Sequence, residues 1–207
     1  MSILALTSDT LSIPAAAGQI EYSSPIIAAT PIGTQRGIVP TQQYYRLNAD
    51  LVGANVTTAQ SIFGVGVTLS ASTVYEFEIN FTMTRTAGTT VHTVSTGFGG
   101  TATNNNIYYS VNQNDTAGTF GARILNSAFF AINTASATVI TGSLNVANQI
   151  LIVILKGTVS VNAGGTFIPQ YTLSAAPGGA YSTAAGSYIR INPLSASGSA
   201  TNVGTWI

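Results

Sequence analysis

The sequence predicts an all-β protein, an antiparallel sandwich or barrel, and three observations point there. Residues 74–85, VYEFEINFTMTR, alternate strictly between apolar and polar side chains. Short β-branched and aromatic runs recur along most of the 207 residues, each bounded by Gly, Asn or Ser clusters. Helical spacing has one plausible home. A period of two over a long run marks a half-buried strand, and many short strands with turn signals between them build sandwiches and barrels.

The elements follow in chain order. Residues 1–42 differ from the rest, because Pro14, Pro25, Pro31 and Pro40 interrupt short apolar pieces, and proline suits edge or extended segments. They are expected to form an extended arm or an edge segment, with the β-sandwich domain over 43–207. Thr57 and Gln60 have capping-box spacing, Val56, Ala59 and Phe63 are helically spaced, and Gly64 offers a stop, which predicts at most two helical turns. In 74–85, Tyr75, Phe77, Ile79, Phe81 and Met83 point one way and Glu76, Glu78, Asn80, Thr82 and Thr84 the other. Residues 86–89 read as a turn and 90–96 as the returning strand. A strand is predicted over 107–111, then a polar loop over 112–118. Strands follow over 120–125, 128–133 and 136–141. Residues 149–161 make a long strand that Ala163-Gly164-Gly165 turns into 167–173. A Gly/Ala/Ser loop over 174–186 leads to a strand over 187–194, and 203–207 closes the chain.

Charge is scarce. Only 6% of residues are Asp, Glu, Lys or Arg, against roughly 25% in ordinary domains. Thr, Ser, Asn and Gly take their place, giving a surface that binds water but repels its like weakly. Such a surface suits subunit contacts. The six basic and six acidic residues are scattered singly, so no basic cluster exists to release counterions from nucleic acid. No basic amphipathic segment points to a membrane surface. The longest aliphatic run, Ile150 to Leu155, is too short to span a bilayer. No Lys or Arg precedes Arg36, so the positive region of a secretory signal is not expected. The absence of cysteine excludes disulfides, thiolate metal sites and thiol nucleophiles.

Chemistry finds little footing. Glu76 and Glu78 share one strand face at roughly 6.5–7 Å, within the separation an inverting glycosidase uses. Any alternating strand with two acids produces that match, and a working pair needs unlike environments. The expected role is a polar face paired across strands with Arg190 or Lys156. His92 is the only histidine, which rules out a multi-histidine site, and no Gly-x-Ser-x-Gly elbow accompanies it. The run Asn112-Gln113-Asn114-Asp115-Thr116 offers one carboxylate, too few for calcium. Gly64-Val65-Gly66 and Gly97-Phe98-Gly99-Gly100 match neither a dinucleotide fingerprint nor a P-loop. No catalytic, cofactor or metal residue is assigned.

One strand does raise a binding question. In 149–161, Ile150, Ile152 and Ile154 face one way and Leu151, Val153 and Leu155 the other. A strand apolar on both faces needs a cover on each side, which loops or the amino-terminal arm could supply, though a neighbouring subunit is the more economical cover. These six side chains are the candidate interface or core residues.

The string TPIGTQRGIVPTQQYYRLNADLVGANVTTAQSIFGVGVTLSASTVYEFEINFTMTRTAGTTVHTVSTGFGGTATNNNIYY resembles terminal modules of structural proteins from tailed phages, especially those of cyanobacteria. The ending GSYIRINPLSASGSATNVGTWI is similar to the close of the same modules. The resemblance covers roughly residues 18–207. It implies a jelly-roll (TNF-like) β-sandwich, often trimeric, on the surface of a virion, either as a head decoration or as a fibre tip. Such modules usually end a longer fibre, whereas this chain starts almost at the module, which favours a small accessory protein. The expected partners are further copies of itself as a homotrimer and virion proteins such as the major capsid protein or a fibre protein. As a receptor-binding tip, it would recognise a host surface glycan. Neither nucleic acid nor membrane is expected.

Overall fold

The computed structural model describes residues 6–117, 123–133 and 137–196. They form sixteen strands and no helix: β1 (Ile20–Ser23), β2 (Ile26–Ile32), β3 (Gln35–Val39), β4 (Gln43–Arg46), β5 (Leu51–Val52), β6 (Gln60–Ser61), β7 (Val67–Leu69), β8 (Val74–Arg85), β9 (Val94–Gly99), β10 (Thr103–Ala117), β11 (Arg123–Asn133), β12 (Thr138–Val139), β13 (Gln149–Ala163), β14 (Gly165–Leu173), β15 (Ser182–Thr183) and β16 (Tyr188–Pro193). All pairings are antiparallel. The all-β prediction therefore holds, and the arrangement is a sandwich.

The large sheet runs β11-β10-β13-β8, and β8 is flanked along its far edge by β16 and β15, which carry β4 and β5. The smaller sheet runs β12-β9-β14, with β6 and β7 on the outer edge of β14. Alternation explains how they meet. On β8, Tyr75, Phe77, Ile79, Phe81 and Met83 are all buried, as are Leu151, Val153 and Leu155 on β13. From the other sheet come Val94, Phe98, Phe167, Tyr171 and Leu173. Phe77 of the large sheet lies 5.5 Å from Phe98 and 6.1 Å from Phe167, ring centre to ring centre, and Phe98 stacks on Phe167 at 4.8 Å. Rings at these separations join two sheets about as far apart as sandwich layers sit.

The amino-terminal segment carries more structure than an extended arm. Strands β1, β2 and β3 form their own sheet, separate from the two of the body. Ile26, Ala28 and Thr30 on its inner face are buried together with Ala15. Ser12 is tied down there by the Glu21 carboxylate, which accepts hydrogen bonds from the Ser12 N–H and hydroxyl and pairs with Arg36 at 2.8 Å, and Gly18 by its N–H donating to the Thr30 carbonyl.

Several local expectations give way to tertiary pairing. No helix forms over 57–64. The Gln60 side-chain amide instead bonds the N–H and the carbonyl of Ala54, a side-chain-to-backbone link that competes with helix formation. Residues 90–96 do not return beside β8. His92 makes only a bridge to Leu144, and the chain crosses to the smaller sheet as β9, whose residues 94–98 are buried on both faces. The loop expected over 112–118 is strand as far as Ala117, because β10 is paired on one side with β11 and on the other with β13. Of the strands expected over 120–125 and 128–133, residues 123–125 and 128–133 belong to the single strand β11, and 118–122 lie outside the described residues. Of the strand expected over 136–141, residue 136 lies outside the described residues and the rest contains the two-residue strand β12. The closing strand over 203–207 also lies outside the described residues.

Gly157 shows how closely β10 and β13 approach. It sits opposite Tyr109, and a Cβ built on it would fall on the Tyr108 carbonyl oxygen and 2.6 Å from the Tyr109 Cβ. Backbone cannot yield as a flexible side-chain tip can. The Gly157→Ala variant is therefore expected to lose about 1–3 kcal/mol by overpacking, read as a lower denaturant midpoint.

Candidate functional site

The outer face of the large sheet gathers what little charge the protein has. Pairing register places Lys156, Glu78, Arg190 and Tyr44 in one row across β13, β8, β16 and β4. The next row is Ile154, Asn80, Tyr188 and Arg46. With Glu76, five charged side chains among those described lie on this face.

Glu78 answers the question of the paired carboxylates. One of its oxygens accepts from Arg190 at 2.6 Å and lies 3.1 Å from the Lys156 ammonium. The other accepts the Tyr188 hydroxyl at 2.7 Å. Both expected partners, Arg190 and Lys156, are present at once. Burial pushes this carboxyl up, but hydrogen bonds from Tyr188, Arg190 and Lys156 outweigh it and hold its pKa at about 2. Glu76, two residues earlier on the same strand face, is exposed. Tyr44 stacks on Tyr188 at 5.6 Å, so the network continues into an aromatic pair that charge spacing alone does not signal.

The sign of the pH effect follows. A folded-state pKa below the ordinary 4.5 means that the stabilisation is complete above about 4.5 and is lost as pH falls towards 2. In the Glu76→Gln/Glu78→Gln double variant, that acid-dependent loss should shrink when urea midpoints are compared from pH 6 to pH 2.5. Function at neutral pH should stay intact. Depolymerisation of a polysaccharide by the native protein but not by the double variant would contradict the structural role.

The six residues singled out on β13 divide cleanly. Leu151, Val153 and Leu155 are fully buried between the sheets. Ile154 is half-buried on the outside, while Ile150 and Ile152 keep 44% and 40% of their surface exposed. Asn112 and Asn114 of β10 flank this outer row on one side and Asn80, Thr82 and Thr84 of β8 on the other. It is an apolar ridge bordered by neutral hydrogen-bonding groups.

His92 lies inside. Its Nδ1 is 2.8 Å from the Thr90 carbonyl, which can only accept, so that nitrogen carries the proton. Nε2 then accepts the Tyr181 hydroxyl at 2.9 Å. Burial pushes the His92 pKa down, the Thr90 carbonyl partly opposes this, and the positive charge of Arg85 adds to the fall. A histidine more basic unfolded than folded loses stability as pH drops below its ordinary 6.5. The His92→Gln variant should show a flatter stability profile between pH 7 and pH 5.

Arg85, also buried, donates to the carbonyls of Gly88, Pro177 and Val146 and lies over the Tyr181 ring at 5.1 Å. Three loops are thus pinned to one guanidinium. Asp50 accepts the Ala185 N–H and so serves a loop. Asp115, the one carboxylate of the run 112–116, is buried on the inner face of β10. Among the described residues, no three His, Cys, Asp or Glu side chains gather as metal ligands.

A cleft of about 380 Å³ opens at the edge of the sandwich, where β4 and β16 part from β7 and β14. Phe63, Phe167 and Ile189 form its floor, with Tyr44, Tyr45 and Val65 exposed along its rim. Its residues come from four separate strands and a loop, so no local motif announces it.

No family model, curated protein or solved structure matches the chain.

Proposed function

We propose that this chain is a structural protein of a tailed-phage virion, a decoration or cement protein that assembles as a homotrimer on the particle surface. The observation that carries self-association is the outer isoleucine row of β13. Ile150 and Ile152 stay exposed on a regular sheet face in a protein otherwise short of charge. Exposed apolar side chains gathered on a sheet face are what subunit contacts use. The phage setting, the number three and the major capsid or fibre protein as partner rest on the sequence resemblance. The role needs no catalytic centre, and Glu78, with both oxygens engaged by donors, fits a scaffold better than a proton shuttle.

The aromatic cleft favours a second reading, a receptor-binding tip on a tail or head fibre that takes a host surface glycan against Tyr44 and Tyr45. One experiment separates the two. Purified protein is mixed with undecorated capsids and, separately, with host cells. Co-sedimentation with capsids alone is the outcome expected for decoration, and adsorption to cells alone would establish the tip instead.

A further inference from the structure

The small amino-terminal sheet has a second face. Cross-strand register puts Ile20, Ala29 and Gly37 in one row of it and Tyr22, Ile27 and Val39 in the next. None of these residues is charged. Ile20 is 67% exposed and Val39 40%, whereas the opposite face is closed by residues 12–18. The protein therefore carries two open apolar sheet faces: this one and the isoleucine ridge on β13.

The two do not cover each other within one chain, as their exposure shows. The reason is placement. The small sheet meets the body beside Tyr75 and Pro193, where Pro25, Pro40 and Thr41 line a shared groove. The ridge lies at the other end of β8, where Ile152 and Ile150 pair with Thr82 and Thr84. Tyr75 and Thr82 are separated along the strand by about 20–25 Å.

Resting on the self-association proposed above, we infer that the two faces meet between copies: the open face of one copy's amino-terminal sheet packs on the β13 ridge of the next. Both faces are antiparallel sheet, and both are free of charge at the centre. Their surroundings are complementary. Glu21 and Arg36 cancel in their ion pair, which leaves Asp9 as the uncompensated charge of the described amino-terminal residues, while among the described outer-face side chains Arg46, Lys156 and Arg190 outnumber Glu76 and Glu78. Because different surfaces meet, the contact is head-to-tail, and such contacts close into rings when the rotation allows. A trimeric ring has this form, and an isologous dimer does not. The amino-terminal segment then has a specific use: it is the strap that joins neighbours.

The absence of cysteine makes the test direct. Ile20→Cys and Thr82→Cys variants, one on each face, are co-expressed, purified and oxidised mildly. A disulfide-linked pair made of one Ile20→Cys chain and one Thr82→Cys chain is expected, at least tenfold more abundant than any pair of like chains. Adding Ile152→Glu to the Thr82→Cys chain should abolish it. Thr82→Cys chains linked mainly to each other would show ridge against ridge and overturn the proposal. No link in a protein whose mass is still that of an oligomer would overturn this packing while leaving self-association standing. A monomeric mass would overturn both.

Discussion

The Arg85→Met variant is expected to lose about 3–5 kcal/mol of folding stability. Methionine fills most of the same volume but donates nothing, so the carbonyls of Gly88, Pro177 and Val146 lose their shared donor. A hydrogen bond to a charged group contributes about 1.5–3 kcal/mol, and a buried acceptor left bare costs about 1–3 kcal/mol. Re-solvation of carbonyls nearer the surface keeps the total below the simple sum. The cation over the Tyr181 ring is lost as well, which frees the partner of His92. Chemical denaturation should show a large fall in midpoint with an unchanged slope, the sign of lost stability without a changed unfolded state. Arg85→Lys should fall between the two, because an ammonium lacks the planar fork that reaches loops on different sides.

Ile152→Glu is expected to leave the fold nearly untouched and to break assembly. Its side chain points away from the core and is 40% exposed in a single copy, so a glutamate there is hydrated in the monomer. Within a subunit contact it would be an uncompensated charge, at a cost of about 2–5 kcal/mol, or roughly thirty- to several-thousand-fold in the dissociation constant. Circular dichroism and the denaturant midpoint measured on dilute protein should match the parent, while the mass in solution drops to that of one chain. The inward neighbour gives the contrast. Val153 is fully buried, and Val153→Glu should fail to fold at all.

These two residues also show what the sequence could and could not disclose. Strands β8, β13, β14 and β16 were legible because each decides locally between two faces, and alternation records that decision residue by residue. The division of Ile150 to Leu155 into an inner and an outer row was readable for the same reason. Of strand β10 only 107–111 was readable, since Asn112 to Asp115 looks like a polar loop until two neighbours pair with it. The passage from β8 to β9 was misplaced because a turn signal shows that the chain reverses but not which sheet receives it. Glu78 was paired correctly from opposite charges at plausible strand positions. Arg85 went unnoticed, because its partners are backbone carbonyls of three distant loops, and backbone groups leave no mark in a sequence. The rim of Tyr44 and Tyr45 escaped for a similar reason: β4 joins the large sheet through β16, far along the chain.

The central claim is that the outer face of the large sheet is a subunit contact, and mass measurement of the purified protein at sub-micromolar concentration tests it most directly. Ile150 and Ile152 under a neighbour would each contribute up to about 1.5–3 kcal/mol, enough with the surrounding sheet to hold copies together on dilution. The predicted result is the mass of three chains. A dimer would contradict the number and the head-to-tail ring, and a well-folded monomer would contradict the claim itself.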